Sequence, residues 1–518
     1  MSAIPRGTLF EAAFEAPGAP DEVVLRARFR GPGGFERVVE GFWDGGANWK
    51  LRFAPDAPGE WTWSAEAAPR VEALRAEGRF ECVPYEGDNP VYRHGALKLA
   101  PDRLRLATAD GRPFFWLADT AWNGVLRAEP ADWTRYLETR RAQGFNVVQF
   151  VATHWRGLEA DAHGERAYVN DAAPRINPAF FQRLDAKLAA INAHGLYAAP
   201  VILWALQPED PGRKLPEAGA LKLARYVVAR YGAHQLAWFL GGDCPYVKDG
   251  VEKWKRLGRE LFGAKHEKSD RLVTLHPCGL SWIGSEFADE GWLDFIGYQS
   301  GHGDRPEQLR WHVMGPAAQA GLESPRRPIL NLEPNYEGHR ASGGARRFGE
   351  YEVRRAAWWS CLLAPAAGVS YGCNEVWNWG ARREQAAGHA ELGEIEPWHT
   401  MLESPGLRAM RLLKKFFEAM PWWRLKPAPH LLFNQPGRED PAAFVAAAAT
   451  PEGDAAVLYC PRGGKHLLRA DNLKRPAAAM WFDPRKGKFQ AGGACKSREF
   501  EVQAPDAQDW VCLLGKRG

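Results

Sequence analysis

Leu236-Ala-Trp-Phe-Leu-Gly-Gly-Asp243 and Pro328-Ile-Leu-Asn-Leu-Glu333-Pro334 are apolar runs that each stop at a carboxylate. A parallel strand buried on both faces reads as such a run. An acid at its C-terminal end lies where barrel enzymes place their chemistry. Two such acids on different strands are what cleavage of a glycosidic bond requires, one as proton donor and one as nucleophile or base.

Working outward from these runs, the same texture repeats. Phe114 to Ala118 reads as a strand ending at Asp119, and Phe145 to Val151 as one ending near His154 and Trp155. Leu196 to Leu203 precedes Trp204, Leu272 to Leu275 precedes His276, and Phe295 to Tyr298 precedes Gln299. Gly368 to Tyr371 leads into Asn374, Glu375 and Trp377. Helical spacing fills the gaps, as at Trp133 to Gln143, Phe180 to Ala193 and Ala218 to Tyr231, each closed by a nearby glycine. With the two opening runs this makes eight strands alternating with helices, the order of a (β/α)8 TIM barrel. A doubly wound open sheet is the alternative, but its G-x-G-x-x-G fingerprint after a first strand is missing.

The flanks differ. Residues 1–85 alternate in short runs broken by turns such as Gly31-Pro-Gly-Gly34, and residues 425–518 return to short β segments such as Ala455 to Tyr459. Each end reads as a β-sandwich, so the expected fold is an α/β (β/α)8 barrel at 86–424 flanked by N-terminal and C-terminal β-sandwich domains. These modules either pack on the barrel rim or build a homo-oligomer.

Composition narrows the function. The 67 basic and 63 acidic residues nearly cancel and are scattered, which argues against a nucleic-acid partner. No apolar stretch is long enough to cross a membrane. The eight cysteines form no CxxC pair and no zinc-like spacing, so no metal and no cofactor is expected. Dispersed thiols and an N-terminus without an apolar leader segment give a cytoplasmic location as the expectation. The 23 tryptophans are the outlier; an indole offers a flat apolar face and one N–H, a combination suited to sugar rings as well as to cores.

The strand ends thus present Asp119, Trp122, His154, Trp155, Trp204, Asp243, His276, Gln299, Glu333, Glu375 and Trp377, with Glu337 close behind. Asp243 and Glu333 end strands four and seven and form the expected catalytic pair; the other ten are expected substrate-binding residues. Each has a plainer reading. Asp119 before Thr120 would cap the next helix, Asp243 after two glycines would make a turn, and the histidines and tryptophans would serve packing. Glu375 is a rival nucleophile. A retaining pair lies about 5–5.5 Å apart and an inverting pair about 6.5–9.5 Å, and both remain open at this stage.

Gly111-Arg-Pro-Phe-Phe-Trp-Leu-Ala-Asp-Thr-Ala-Trp122, Gly144-Phe-Asn-Val-Val-Gln149, Trp238-Phe-Leu-Gly-Gly-Asp243 and Glu333-Pro-Asn-Tyr-Glu337-Gly resemble the apiosidase-like glycoside hydrolases. Phe42-Trp-Asp-Gly45 and Pro58-Gly-Glu-Trp-Thr-Trp63 resemble the β-sandwich that often precedes that catalytic domain, and the C-terminal module resembles the collagen-binding-type β-sandwich that often follows it. The resemblance implies a retaining mechanism with Asp243 as acid/base and Glu333 as nucleophile. It also implies release of a terminal sugar, apiose-like or another glycosyl unit, from a plant or microbial glycoside. Two other readings stand beside it: a carbohydrate-binding barrel without catalysis, and a metal-dependent barrel hydrolase. The latter lacks its usual His-x-His at strand one, where Ala118-Asp119-Thr120 stands instead.

Overall fold

The computed structural model describes residues 2–17, 22–246, 249–263, 271–323, 327–342, 344–474 and 477–515. Eight parallel strands form one sheet: β1 (Trp116–Thr120), β2 (Val147–Val151), β3 (Tyr197–Trp204), β4 (Ala237–Cys244), β5 (Leu272–Pro277), β6 (Ile296–Tyr298), β7 (Ile329–Asn331) and β8 (Gly368–Tyr371). Their order in the sheet is β5-β4-β3-β2-β1-β8-β7-β6. Between β6 and β5 the barrel closes largely through side chains. The Thr274 hydroxyl donates to Phe295 O at 2.7 Å and accepts from Gly297 N–H at 3.2 Å. Beside it Asp294 N–H donates to Val273 O at 2.9 Å. The fold is therefore the expected eight-stranded barrel with β-rich regions at both ends.

Two boundaries moved. The first barrel strand starts two residues later than its apolar run suggested, because Pro113–Phe114 joins Leu97–Leu99 and Leu106–Thr108 in a separate antiparallel sheet. β4 runs through its two glycines to Cys244, one residue past the Asp243 at which its apolar run stops. The helices follow their sequence signals more closely. Helix Pro178–Ala193 has proline at its first position and an Asn177 cap that accepts from Ala179 N–H. No helix among the described residues is long and apolar enough to cross a membrane.

The N-terminal region pairs a five-stranded with a three-stranded sheet around Phe29, Phe53 and Trp61, all nearly inaccessible to solvent. It meets the barrel through buried charge. Arg52 donates to Glu11, to Asp185 (2.8 Å) and to Arg230 O. Arg230, on helix Glu217–Tyr231, donates twice to Asp185 (2.7 Å each) and pairs with Asp44 at 2.8 Å. Both guanidiniums stack on Phe42. The two arginines outweigh the effect of burial on Asp185 and hold its carboxyl below the usual carboxylate range. At the other end, Arg354 of helix Glu350–Leu362 grips Asp509 with two bonds of 2.7 and 2.8 Å, and Trp358 stacks on Tyr459. Both β regions thus dock on the barrel's outer helices.

Candidate active site

Two glycines are needed ahead of Asp243 because the backbone of β4 runs hard against neighbouring rings. A Cβ on Gly242 would lie 2.5 Å from Trp204 Cε3 and 2.6 Å from Val201 Cγ1, and one on Gly241 would strike Tyr246 and Trp254. The register with β5 then slips between Gly242 and Cys244, and Asp243 itself adopts a left-handed φ of +51°. Such a bulge re-aims a side chain, and left-handed backbone on a non-glycine residue is held only where the surroundings enforce it. Its carboxylate comes to rest 3.9 Å from Arg156 Nη2.

Glu333 follows β7. Its N–H donates to Asn331 Oδ1 (3.3 Å), and its carbonyl accepts from Gly301 N–H (3.1 Å). Its Oε1 accepts from His302 Nε2 at 2.8 Å, while His276 Nε2 lies 3.4 Å from Oε2. His302 Nδ1 in turn accepts from Tyr336 N–H (3.3 Å), which leaves the ring proton on Nε2, pointed at Glu333. His339 stacks on that ring at 3.9 Å. Beneath, Gln149 Nε2 donates to Leu332 O, steadying the residue before the carboxylate.

The two acids sit in opposite electrostatic settings. Burial and the nearby Glu333 charge push Asp243 up to about 7. Burial also pushes Glu333 up, but the imidazoles of His276 and His302 outweigh it and hold this carboxyl well below the usual range. Around the pair, Trp122 meets Trp204 at 5.3 Å and His276 at 5.3 Å, and Trp155 meets Trp204 at 4.6 Å. Trp377 packs edge-on to His389 at 4.8 Å. Trp204 Nε1, Trp377 Nε1, Tyr336 Oη, Gln299 Oε1 and both amide atoms of Asn374 are buried with no hydrogen-bond partner among the described residues. Native structures leave few such groups unpaired without a reason.

Comparison with known proteins gives this site a family. Residues 101–424 match the family model for the apiosidase-like catalytic domain, which is more than half of the chain. The chain belongs to the apiosidase-like family. Residues 8–68 match a domain of unknown function, DUF5060, and residues 427–515 match a collagen-binding domain of a collagenase, a provisional description. Among solved structures, a glycoside hydrolase is 21% identical over 83% of this chain and 99% of its own, with a TM-score of 0.72. A family 5 glycoside hydrolase from Bacteroides vulgatus is also 21% identical, over 83% of this chain and 95% of its own, at the same TM-score. A second Bacteroides vulgatus protein, named provisionally as a glycoside hydrolase, is 17% identical and matches 99% of this chain and 100% of its own, again at 0.72. These likenesses show the fold. No curated protein matches the chain. With its family established, the protein is a glycosidase.

In this apiosidase-like barrel the expected site residues separate into two groups. Trp122, Trp155, Trp204, His276 and Trp377 gather around the carboxylates. Gln299 stands beside Gly279 and Gly301, its Oε1 unpaired. Other residues are held elsewhere. Asp119 is wholly buried; its Oδ2 receives Tyr136 Oη (2.7 Å) and Arg140 Nε (2.5 Å), while its Oδ1 has no hydrogen-bond partner among the described residues. These two bonds anchor β1 to helix Pro130–Ala142. Glu337 accepts from Tyr371 Oη, Ser404 Oγ and Gly406 N–H, which ties the loop after β7 to the start of helix Pro405–Glu418. Its carboxylate is fully engaged in that junction. His154 accepts from Ala167 N–H and lies on Tyr168, with burial lowering it to about 4. Glu375 turns toward Gly338 and Cys373.

His302, Tyr336, Arg156 and His389 were not singled out in the sequence. Gly301, at φ +68°, turns the chain after Gln299 so that His302 swings back over Glu333. A histidine four residues past a strand end is a weak signal unless that turn is recognised. Arg156 directly follows Trp155 and read as one scattered charge among many.

The crowding at Gly242 yields a first prediction. Gly242→Ala forces the β4 end away from β3, overpacking costs about 1–3 kcal/mol, and a displacement near 1 Å at a reacting group costs about 100-fold in rate. Thermal unfolding and kcat on the best glycoside should both fall; a variant with native turnover would show that the close approach does not aim Asp243.

Proposed function

We propose that this apiosidase-like enzyme is a retaining, exo-acting glycoside hydrolase in which Asp243 is the acid/base and Glu333 the nucleophile. The observation that carries the division of roles is the contrast between the two carboxyls, and the match to the apiosidase-like family supports retention over inversion. One keeps its proton to about pH 7, and the other stays ionised under two imidazoles. Pairs whose surroundings push them apart divide acid and base work between them.

In the first step a Glu333 oxygen attacks the anomeric carbon as the bond to the glycosidic oxygen breaks, and the Asp243 proton passes to that departing oxygen. The aglycone leaves as an alcohol, and the sugar is esterified to Glu333. In the second step Asp243, now a carboxylate, takes a proton from water as the water oxygen attacks the same carbon. The Glu333 ester bond breaks, the sugar leaves with its original anomeric configuration, and both acids return to their starting states. The His302 N–H assists by stabilising Glu333 as it leaves.

The indole wall of Trp122, Trp155, Trp204 and Trp377 and the unpaired polar atoms among it suit one hydroxyl-rich sugar ring, which supports action at a chain end. The family name supports an apiose-like terminal unit on a plant or microbial glycoside.

A panel of aryl glycosides and oligosaccharides, with Glu333→Gln as control, tests the reading. Proton NMR of the first-formed sugar should show the anomer of the substrate; the opposite anomer overturns retention. Binding without release of any reducing sugar would favour the non-catalytic alternative. The pH profile has a definite sign. Because Asp243 must carry its proton, kcat/KM should fall as pH rises through about 7. Because Glu333 must be ionised and is held well down, the acid limb should lie below the ordinary carboxylate value of about 4.

A further inference from the structure

We propose that Arg156 is a positioning residue that sets how readily Asp243 gives up its proton, with Asp210 moderating its charge and His389 fixing its aim. This rests on the reading of Asp243 as the acid/base.

Arg156 lies in the loop after β2, and 13% of its side chain is exposed. Its N–H donates to Asp210 Oδ1 (3.0 Å) and its Nη1 to Asp210 Oδ2 (3.2 Å). Asp210 is fully buried and is itself fixed by Gln207 N–H at 2.7 Å. The guanidinium lies over Trp155 at 5.1 Å and reaches Trp204 at 6.0 Å. Its Nη2 donates to His389 Nε2 at 3.0 Å and stands 3.9 Å from Asp243 Oδ2. His389 Nδ1 donates to Ala387 O (2.8 Å), so its Nε2 is placed to accept, and burial together with Arg156 disfavours the charged ring. Gly388, at φ +66°, lets the loop press on Arg156: a Cβ there would lie 2.5 Å from Arg156 O.

Only a planar fork satisfies these directions at once; an ammonium is a single point charge. At 3.9 Å from Asp243 the guanidinium acts through space rather than as a bonded partner, favouring the carboxylate that remains once the proton has left. The buried Asp210 charge opposes that pull. The other groups facing Asp243 are Glu333 from β7, His276 from β5, and Cys244, Cys278 and Tyr246 from the ends of β4 and β5. Of these neighbours, Arg156 and Asp210 are an opposed pair whose removal should move Asp243 in opposite directions. A purely structural role predicts no such opposition.

The test reads Asp243 directly by carbon-13 NMR titration of protein labelled at the aspartate carboxyls, the resonance being assigned by its loss in Asp243→Asn. Arg156→Met should raise the midpoint by roughly half a unit to one unit, and Asp210→Asn should lower it. The alkaline limb of kcat/KM on the best aryl glycoside should move in step. A midpoint unmoved in Arg156→Met, or moved the same way in both neutralising variants, overturns the proposal. Should Arg156→Met fail to fold, Asp210→Asn decides: a fall supports the proposal, and no change or a rise overturns it. An Asp243→Asn enzyme that keeps native turnover and its alkaline limb would instead overturn the acid/base reading itself.

Discussion

Glu333→Ala is expected to lower kcat by about 10⁴-fold or more while the protein stays folded. Removing a nucleophile eliminates the covalent route and leaves only binding and general acid assistance. Azide should restore part of the turnover by entering the space the carboxylate filled. The azide adduct should then carry the opposite anomeric configuration, because one displacement replaces two. Thermal unfolding should show a modest loss of stability in Glu333→Gln with the fold retained, since the imidazoles beside Glu333 favour its ionised form and that contribution is lost with the charge. A Glu333→Ala enzyme with near-native turnover would remove this residue from the mechanism and direct attention to Glu375.

Asp119→Ala is expected to cost about 3–5 kcal/mol of stability, the range for breaking a fully buried ion pair. Arg140 also donates to Gln143 and to Leu402 O, so its guanidinium cannot swing out to water. Its charge would remain buried without a counter-charge. A capping aspartate would cost only about 1 kcal/mol, and a ligand-binding one would lower kcat/KM with little change in unfolding. Chemical denaturation of the single variant, and of Asp119→Ala with Arg140→Met, separates these roles. The double variant should recover much of the loss because it removes the stranded charge.

The barrel was legible because its strands are buried on both faces and so stand out as apolar runs, and because proline and glycine mark helix starts and ends. The carboxylates were legible for the same reason: each interrupts such a run. What surrounds them was harder to see. Asp119 looks like the other strand-end acids in sequence, and only the return of Arg140 from helix Pro130–Ala142 shows that one of its oxygens is committed to a buried ion pair. Glu337 sits four residues after Glu333, yet its partners Ser404 and Gly406 lie far along the chain. His302 and Arg156 acquire their positions from a glycine turn and from a buried aspartate on another loop. These are tertiary relations that no local pattern encodes.

The charge lattice of Arg52, Asp185, Arg230 and Asp44 has a bearing on how the molecule comes apart. It gives the N-terminal sheets and the barrel's helices shared counter-ions, with Phe42 clamped between the two guanidiniums. Opening that seam would strand charge on both sides, so the two bodies should melt as one cooperative unit. The module that looks like a detachable accessory is therefore part of the enzyme's shell. A barrel trimmed of its first 85 residues would expose Tyr226 and the Asp185–Arg230 pair to water on a face built to be covered.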